Sequence, residues 1–242
     1  MKSQIADSTR CLLIAAIILI ALLHVHTRIS AQITGDAMKP KLSNWQSKQD
    51  RLVVDINLDN WDKTPQDIEI KTWRSRGVNV MFTDEKQFGA GNVAFAWGIG
   101  FSSQNFHTNG ELIQDPNLDS SYFSSARLDT ISYDLNKLSL NYLDIPLELR
   151  FRTNANAKGN RLKLAVGFKF GILLNAHTKF DDGDKKEKKY HLKNIPDLHY
   201  GLTGRLGFGH IGVSYFMSLT TLFNESEGKE IFPYSIGISF TP

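Results

Sequence analysis

The sequence predicts an all-β protein, an eight-stranded antiparallel up-and-down transmembrane β-barrel with both termini periplasmic. Three observations lead there. Apolar and polar residues alternate with period two through eight separate segments, and that is the spacing at which side chains share one face of a strand. The connections between these segments alternate short and long, as they do in outer-membrane barrels. The first 31 residues read as an export signal, and no later stretch holds 18 consecutive apolar residues, which is what a membrane helix would need.

The signal is built from basic Lys2 and Arg10, the 13-residue apolar run Cys11–Leu23, and small Ser30-Ala31 before Gln32. A membrane helix needs about 20 apolar residues, so this run is short, and His24, His26 and Arg28 end it. Residues 1–31 are therefore expected to be cleaved, 32–50 to form a polar periplasmic extension, and 51–242 to form the barrel. Without Lys2, Arg10, Arg28 and Asp7, the chain's 28 basic and 25 acidic side chains become 25 and 24. That balance gives no case for nucleic acid. The single cysteine, Cys11, lies inside the signal, so the mature chain has no disulfide and no thiolate metal site.

The strands follow in order. Leu52–Leu58 alternates Leu52, Val54, Ile56 and Leu58 against Val53, Asp55 and Asn57. Arg76–Thr83 sets Val78, Val80 and Phe82 outward and Gly77, Asn79 and Met81 inward. Val93–Phe101 places Val93, Phe95, Trp97, Ile99 and Phe101 opposite alanine and glycine. Large residues outside and small ones inside suit a narrow, crowded lumen. Leu138–Arg152 and Arg161–Lys179 are the most regular pair, with Leu143–Phe151 and Leu162–Leu174 apolar at odd and even positions respectively. Leu198–Phe208, Ile211–Leu219 and Phe232–Phe240 complete the set.

The connections 84–92, 153–160 and 207–210 are short, and 107–137, 181–196 and 223–231 are longer. The second strand then runs inward, so an outward strand must precede it. The segment 52–58 fills that place, with 59–72 as the first outer loop, and the count reaches eight. Pro146 lies mid-strand and removes a ladder donor. A bulge is expected there.

Eight strands leave an interior only wide enough for side chains. The inward charges Asp144, Glu148, Arg150, Arg152, Lys163, Lys169 and Arg205 are expected to form a structural ion-pair network, because buried charges must be paired. No catalytic, cofactor or metal residue is expected. Asp181-Asp182-Gly183-Asp184 lacks the spacing of a calcium loop. There is no H-E-x-x-H or G-x-S-x-G motif and no His-x-Ser pair, although His210 and Ser214 share a parity. Trp73, Trp97, Tyr142, Tyr200, Tyr215 and Tyr234 are read as lipid-facing or girdle aromatics.

N-Y-L-D-I-P-L-E-L-R-F at Asn141–Phe151, K-L-A-V-G-F-K-F-G after it and a terminal I-G-I-S-F resemble the PorT-like outer-membrane β-barrel family of Bacteroidetes. D-R-L-V-V-D-I-N-L-D-N-W at Asp50–Trp61, S-R-G-V-N-V at Ser75–Val80 and W-G-I-G-F-S-S-Q-N at Trp97–Asn105 resemble a subset of it. The likeness covers about residues 50–242. It implies a non-enzymatic barrel in the outer membrane, in contact with lipid and lipopolysaccharide, working with partners in protein secretion or envelope assembly. The alternative is a structural or adhesive barrel that binds ligands through loops 107–137 and 181–196. A lipid A-modifying enzyme is the weakest of the three.

Overall fold

A computed structural model describes residues 51–88, 92–115, 120–125, 128, 132–190, 192–224 and 230–241. The expected signal (1–31) and extension (32–50) lie outside the described residues. Eleven strands form: β1 (Leu52–Asp62), β2 (Arg76–Gln87), β3 (Val93–His107), β4 (Glu111–Asp115), β5 (Ser120–Ser124), β6 (Leu135–Arg152), β7 (Leu162–Asp181), β8 (Lys186–Tyr190), β9 (Leu198–Phe208), β10 (Ile211–Ser218) and β11 (Phe232–Phe240).

Eight of them close a ring in the order β6-β3-β2-β1-β11-β10-β9-β7, and β7 returns to β6. Every ladder is antiparallel. β1 pairs with both β2 and β11, so the strand demanded by the loop alternation is the one that closes the barrel. β8 extends the sheet at the end of β7 that carries the long connections, and β4 and β5 form a separate hairpin within the connection from β3 to β6.

The period-two alternation sorts side chains between two environments. Outward lie Ile56, Phe82, Ile99, Ile145, Phe168, Leu202, Val213 and Ile238, each between 42% and 61% exposed. Soluble monomers rarely expose apolar patches beyond a few hundred Å², and here the apolar belt runs around the ring. No helix among the described residues is long and apolar enough to cross a membrane.

The walls are uneven. β6 has 18 residues and β7 has 20, against 8 in β10. At about 3.3 Å per residue, β6 and β7 rise well past the belt, toward the end that carries the long connections. Several sequence boundaries are therefore corrected. β1 runs to Asp62, β2 to Gln87 and β3 to His107, because the polar residues that looked like loop onsets (Asp59, Glu85, Gln104) point inward, where they are buried.

The expected bulge at Pro146 is also corrected. Pro146 pairs with Lys169 in continuous register, and the ladder shifts instead between Asn141 and Tyr142, where Leu174 of β7 is skipped. Toward β3 the pairs Trp97↔Leu147 and Gly100↔Asp144 keep one register, with no pairing between them. The missing proline donor thus opens a short gap in one ladder and inserts no residue.

Candidate functional site

The lumen is the natural place to look for a site, and it is filled in two layers. The lower layer, toward the short turns, is charged. Arg152 clasps Glu85 through two bonds of 2.6 Å, the fork geometry that guanidinium and carboxylate share. Arg150 reaches Glu85 at 3.3 Å and Glu148 at 2.9 Å. Arg205 bridges Glu148 at 3.1 Å and Asp55 at 3.3 Å. Higher up, Asp144 receives Lys169 at 3.2 Å and His199 Nε2 at 2.9 Å. Lys163 donates to Thr241 Oγ1 at 3.1 Å.

All seven charged residues singled out in the sequence therefore face the interior. Asp144 meets Lys169, and Glu148 meets Arg150 and Arg205. Arg152 meets Glu85, which lies in β2 beyond the strand end at Thr83 expected from the sequence. Asp55, Glu85, Asp59 and His199 were missing from that set. Asp55 and His199 already had inward parity. Glu85 required β2 to continue past Thr83.

Glycine makes room for one of these contacts. A Cβ on Gly171 would collide with both Asp144 Oδ1 and His199 Nε2. Lys169 also lies 4.0 Å above the Phe216 ring, a cation–π contact.

Tyr142 closes this layer. Its ring stacks on His199 with centroids 3.7 Å apart and planes within 4°. The lipid-facing assignment of Tyr142 is corrected, since it is 5% exposed and shares the inward parity of Asp144.

Above it the lumen becomes apolar. Trp61, Phe106, Leu138 and Leu140 point in from the wall and meet Ile68, Leu112, Phe123, Ile195, Phe223 and Ile231 from the long connections. Trp61 contacts Phe123 at 4.7 Å and Phe106 at 5.2 Å, and Phe123 contacts Phe223 at 5.7 Å. Each such side chain contributes about 1.5–3 kcal/mol on burial. Polar bonds add to this cap: Asn136 Nδ2 donates to the carbonyls of Thr108 and Gly110 at 2.9 and 2.7 Å.

Open space in the lumen is small. One cavity of about 30 Å³ lies among Arg150, Arg152, Lys163 and Arg205. Another of about 20 Å³ is lined by Asp55, Asn79, Thr203 and Arg205. Each is of the size that holds one water. A larger cleft of about 400 Å³ opens in the apolar cap, between Pro65, Asp67, Tyr122, Phe123, Phe223 and Ile231. That is within the range of ligand pockets.

Chemistry at His210 and Ser214 is not assembled. His210 Nδ1 is 2.9 Å from the Thr241 carbonyl, and Ser214 donates to Asn57 Oδ1 at 3.2 Å. No group of three His, Cys, Asp or Glu among the described residues is placed to hold a metal. At the turn between β7 and β8, Asp181 accepts from the Gly183 N–H at 3.1 Å and pairs with Lys186 at 3.2 Å. The Gly183 bond and then Lys186 hold its carboxyl below the usual carboxylate range.

No curated protein matches this chain. One solved structure that this chain matches is Ail, the attachment invasion locus protein of Yersinia pestis, in complex with the heparin analogue sucrose octasulfate. It is 13% identical, covers 78% of this chain and 95% of that one, and has a TM-score of 0.34. A family model described as an outer membrane protein beta-barrel domain matches residues 50–224. That span holds seven of the eight ring strands, and the closed ring and apolar belt agree with it. This chain belongs to the outer membrane protein beta-barrel domain family.

Proposed function

We propose that this protein is a non-enzymatic outer-membrane barrel that conducts nothing and acts by binding at its outer end. The observation that carries this reading is the two-layer plug. The lower lumen is filled by paired charges around cavities of about 20–30 Å³. The upper lumen is filled by an apolar core that anchors the outer connections. The barrel is thus a rigid stand for its loops.

Loops are where scaffolds carry binding residues. The connections 107–137 and 181–196 supply Leu112, Phe123 and Ile195 to the cap, and the 400 Å³ cleft lies where 107–137 meets the connections after β1 and before β11. In this reading residues 1–31 are cleaved on export and 32–50 stay in the periplasm. The short turns and both termini face the periplasm and the long connections face outside, as in bacterial barrels generally. The seven charged residues predicted from the sequence serve as structural cement.

The test is to replace residues 108–134 with a short glycine-serine link. The shortened barrel should keep its unboiled gel mobility and lose adhesion of expressing cells to host-cell or matrix surfaces. Retained adhesion would overturn the reading. The likeness to PorT-like barrels supports a second reading, a role in secretion or envelope assembly with protein partners. Loss of secreted proteins on deletion of the gene, with adhesion unchanged, would favour it.

A further inference from the structure

Strand register places four basic residues side by side across four adjacent strands. His107 of β3 pairs with Lys137 of β6, Lys137 with Lys179 of β7, and Lys179 with Lys188 of β8. Directly opposed residues share a face, with Cβ atoms about 5 Å apart, and like charges so opposed are destabilising. The row is widened by the segment after β1, where the Lys71 N–H bonds to the His107 carbonyl at 2.7 Å.

Among the described residues no carboxylate pairs with its lysines. Lys137 donates to a neutral acceptor, Asn105 Oδ1, at 3.2 Å. Among the described residues Lys137, Lys179 and Lys188 have no ion pair. The acid on that face, Asp181, is taken by Lys186. These residues stand beyond the membrane-spanning part of the wall. There His107 is pushed down to about 4, by burial first and then by Lys137, Arg74 and Lys71. Lys137 is lowered by burial and then by Lys179 and Lys188.

Lysines on an edge strand such as β8 commonly guard against edge-to-edge pairing. That explains Lys186 and Lys188. It does not explain Lys137 and Lys179, which lie on strands with neighbours on both sides.

Height decides between membrane phosphate and an outside ligand. The last apolar row that crosses four strands on this face is Phe101, Leu143, Ile172 and Leu198, and above it Leu174 of β7 and Tyr190 of β8 stay exposed. Lys137 lies six residues further along β6, about 20 Å at 3.3 Å per residue, or about 15 Å of height in a strand tilted by about 40°. The headgroup layer is only about 5–8 Å deep. The row stands above the lipid phosphates.

We propose that this row binds an anionic polysaccharide outside the membrane, with sulfate, carboxylate or phosphate groups spaced on the scale of one sugar. The proposal rests on the outward orientation of the long connections given above. It accounts for a like-charge row that costs stability and whose lysines have no ion-pair partner among the described residues.

The full chain, refolded in detergent micelles, is titrated with fluorescent dextran sulfate and with neutral dextran. The parent should bind dextran sulfate and ignore dextran. Lys137→Gln/Lys179→Gln/Lys188→Gln should bind about 30-fold more weakly, and Lys185→Gln/Lys189→Gln/Lys193→Gln, which loses the same charge from the same region, should stay within about 3-fold. All proteins must keep their unboiled gel mobility.

Equal weakening in both variants, no weakening in the first, or no binding by the parent would overturn the proposal. So would row-dependent binding to vesicles bearing phosphorylated lipid A without binding to dextran sulfate. Orientation is judged separately, by an impermeant maleimide on intact cells carrying Lys188→Cys. Labelling only after cell breakage would sink the outward reading while leaving the binding result to stand on its own.

Discussion

Replacing Glu148 with glutamine tests the lower lumen most sharply. Glu148 is 2% exposed. It holds Arg150 through Nη2 at 2.9 Å and Arg205 through Nη1 at 3.1 Å. Glutamine keeps the shape and removes the charge. Each arginine then retains a longer ion pair, Arg150 to Glu85 and Arg205 to Asp55, both at 3.3 Å, and Arg150 also keeps its bond to Thr83 Oγ1 at 3.1 Å. Breaking a buried pair costs about 3–5 kcal/mol. The surviving partners place Glu148→Gln at the lower end, about 3 kcal/mol.

The exposed pair Lys63–Glu230, also at 3.3 Å, provides the contrast, because such pairs are worth at most about 1 kcal/mol. Urea unfolding in lipid vesicles, read by unboiled gel mobility, supplies the assay. With a slope of about 1–3 kcal/mol/M, Glu148→Gln should lower the midpoint by about 1–3 M. Glu230→Gln should shift it far less. The double change Glu148→Met/Arg205→Met should recover part of the loss, because it removes a buried cation together with its partner. A Glu148→Gln shift no larger than that of Glu230→Gln would refute a lumen cemented by ion pairs.

Gly171→Ala should push Asp144 and His199 apart and cost about 1–3 kcal/mol in the same assay, whereas Gly159→Ala, in a turn with open space around it, should be governed by its positive φ of 81° instead. Phe123→Ala should cost about 3–5 kcal/mol locally, seen as faster protease cleavage of the 108–134 connection while the barrel stays folded. Phe168→Arg, at 48% exposure on the outward belt, should destabilise the vesicle-inserted barrel by about 2–4 kcal/mol; an unchanged urea midpoint would argue against a lipid-facing position.

The membrane-level part of this fold is written in alternation. Leu143–Phe151 and Leu162–Ile172 carry one environment per parity, so face, register and lumen charges could be read together. Loop-length parity rescued β1, whose seven recognised residues were too few to stand alone. The strand ends were obscured for one physical reason. Inside a lumen, Asp59, Glu85 and Gln104 are ordinary strand residues, yet in sequence they resemble the start of a loop.

The upper lumen was obscured for the opposite reason. Leu138, Leu140 and Tyr142 are apolar and point inward, so the rule of polar inside and apolar outside fails there. Tyr142 was misassigned on that account. The shift at Leu174 was unreadable because Leu173 and Leu174 are both apolar. The basic row emerged only from register, since His107, Lys137, Lys179 and Lys188 are dispersed over more than 80 residues.

The central claim is that the apolar outward face meets lipid and the inward face does not. Single-tryptophan variants in vesicles with brominated acyl chains test it directly. Trp97 is 40% exposed on the belt, and Trp61 is 4% exposed within the cap core. Trp97 should be quenched strongly by brominated lipid and little by aqueous iodide, and Trp61 little by either. A protein that stays soluble without detergent, with Trp97 open to iodide and untouched by brominated lipid, would contradict it.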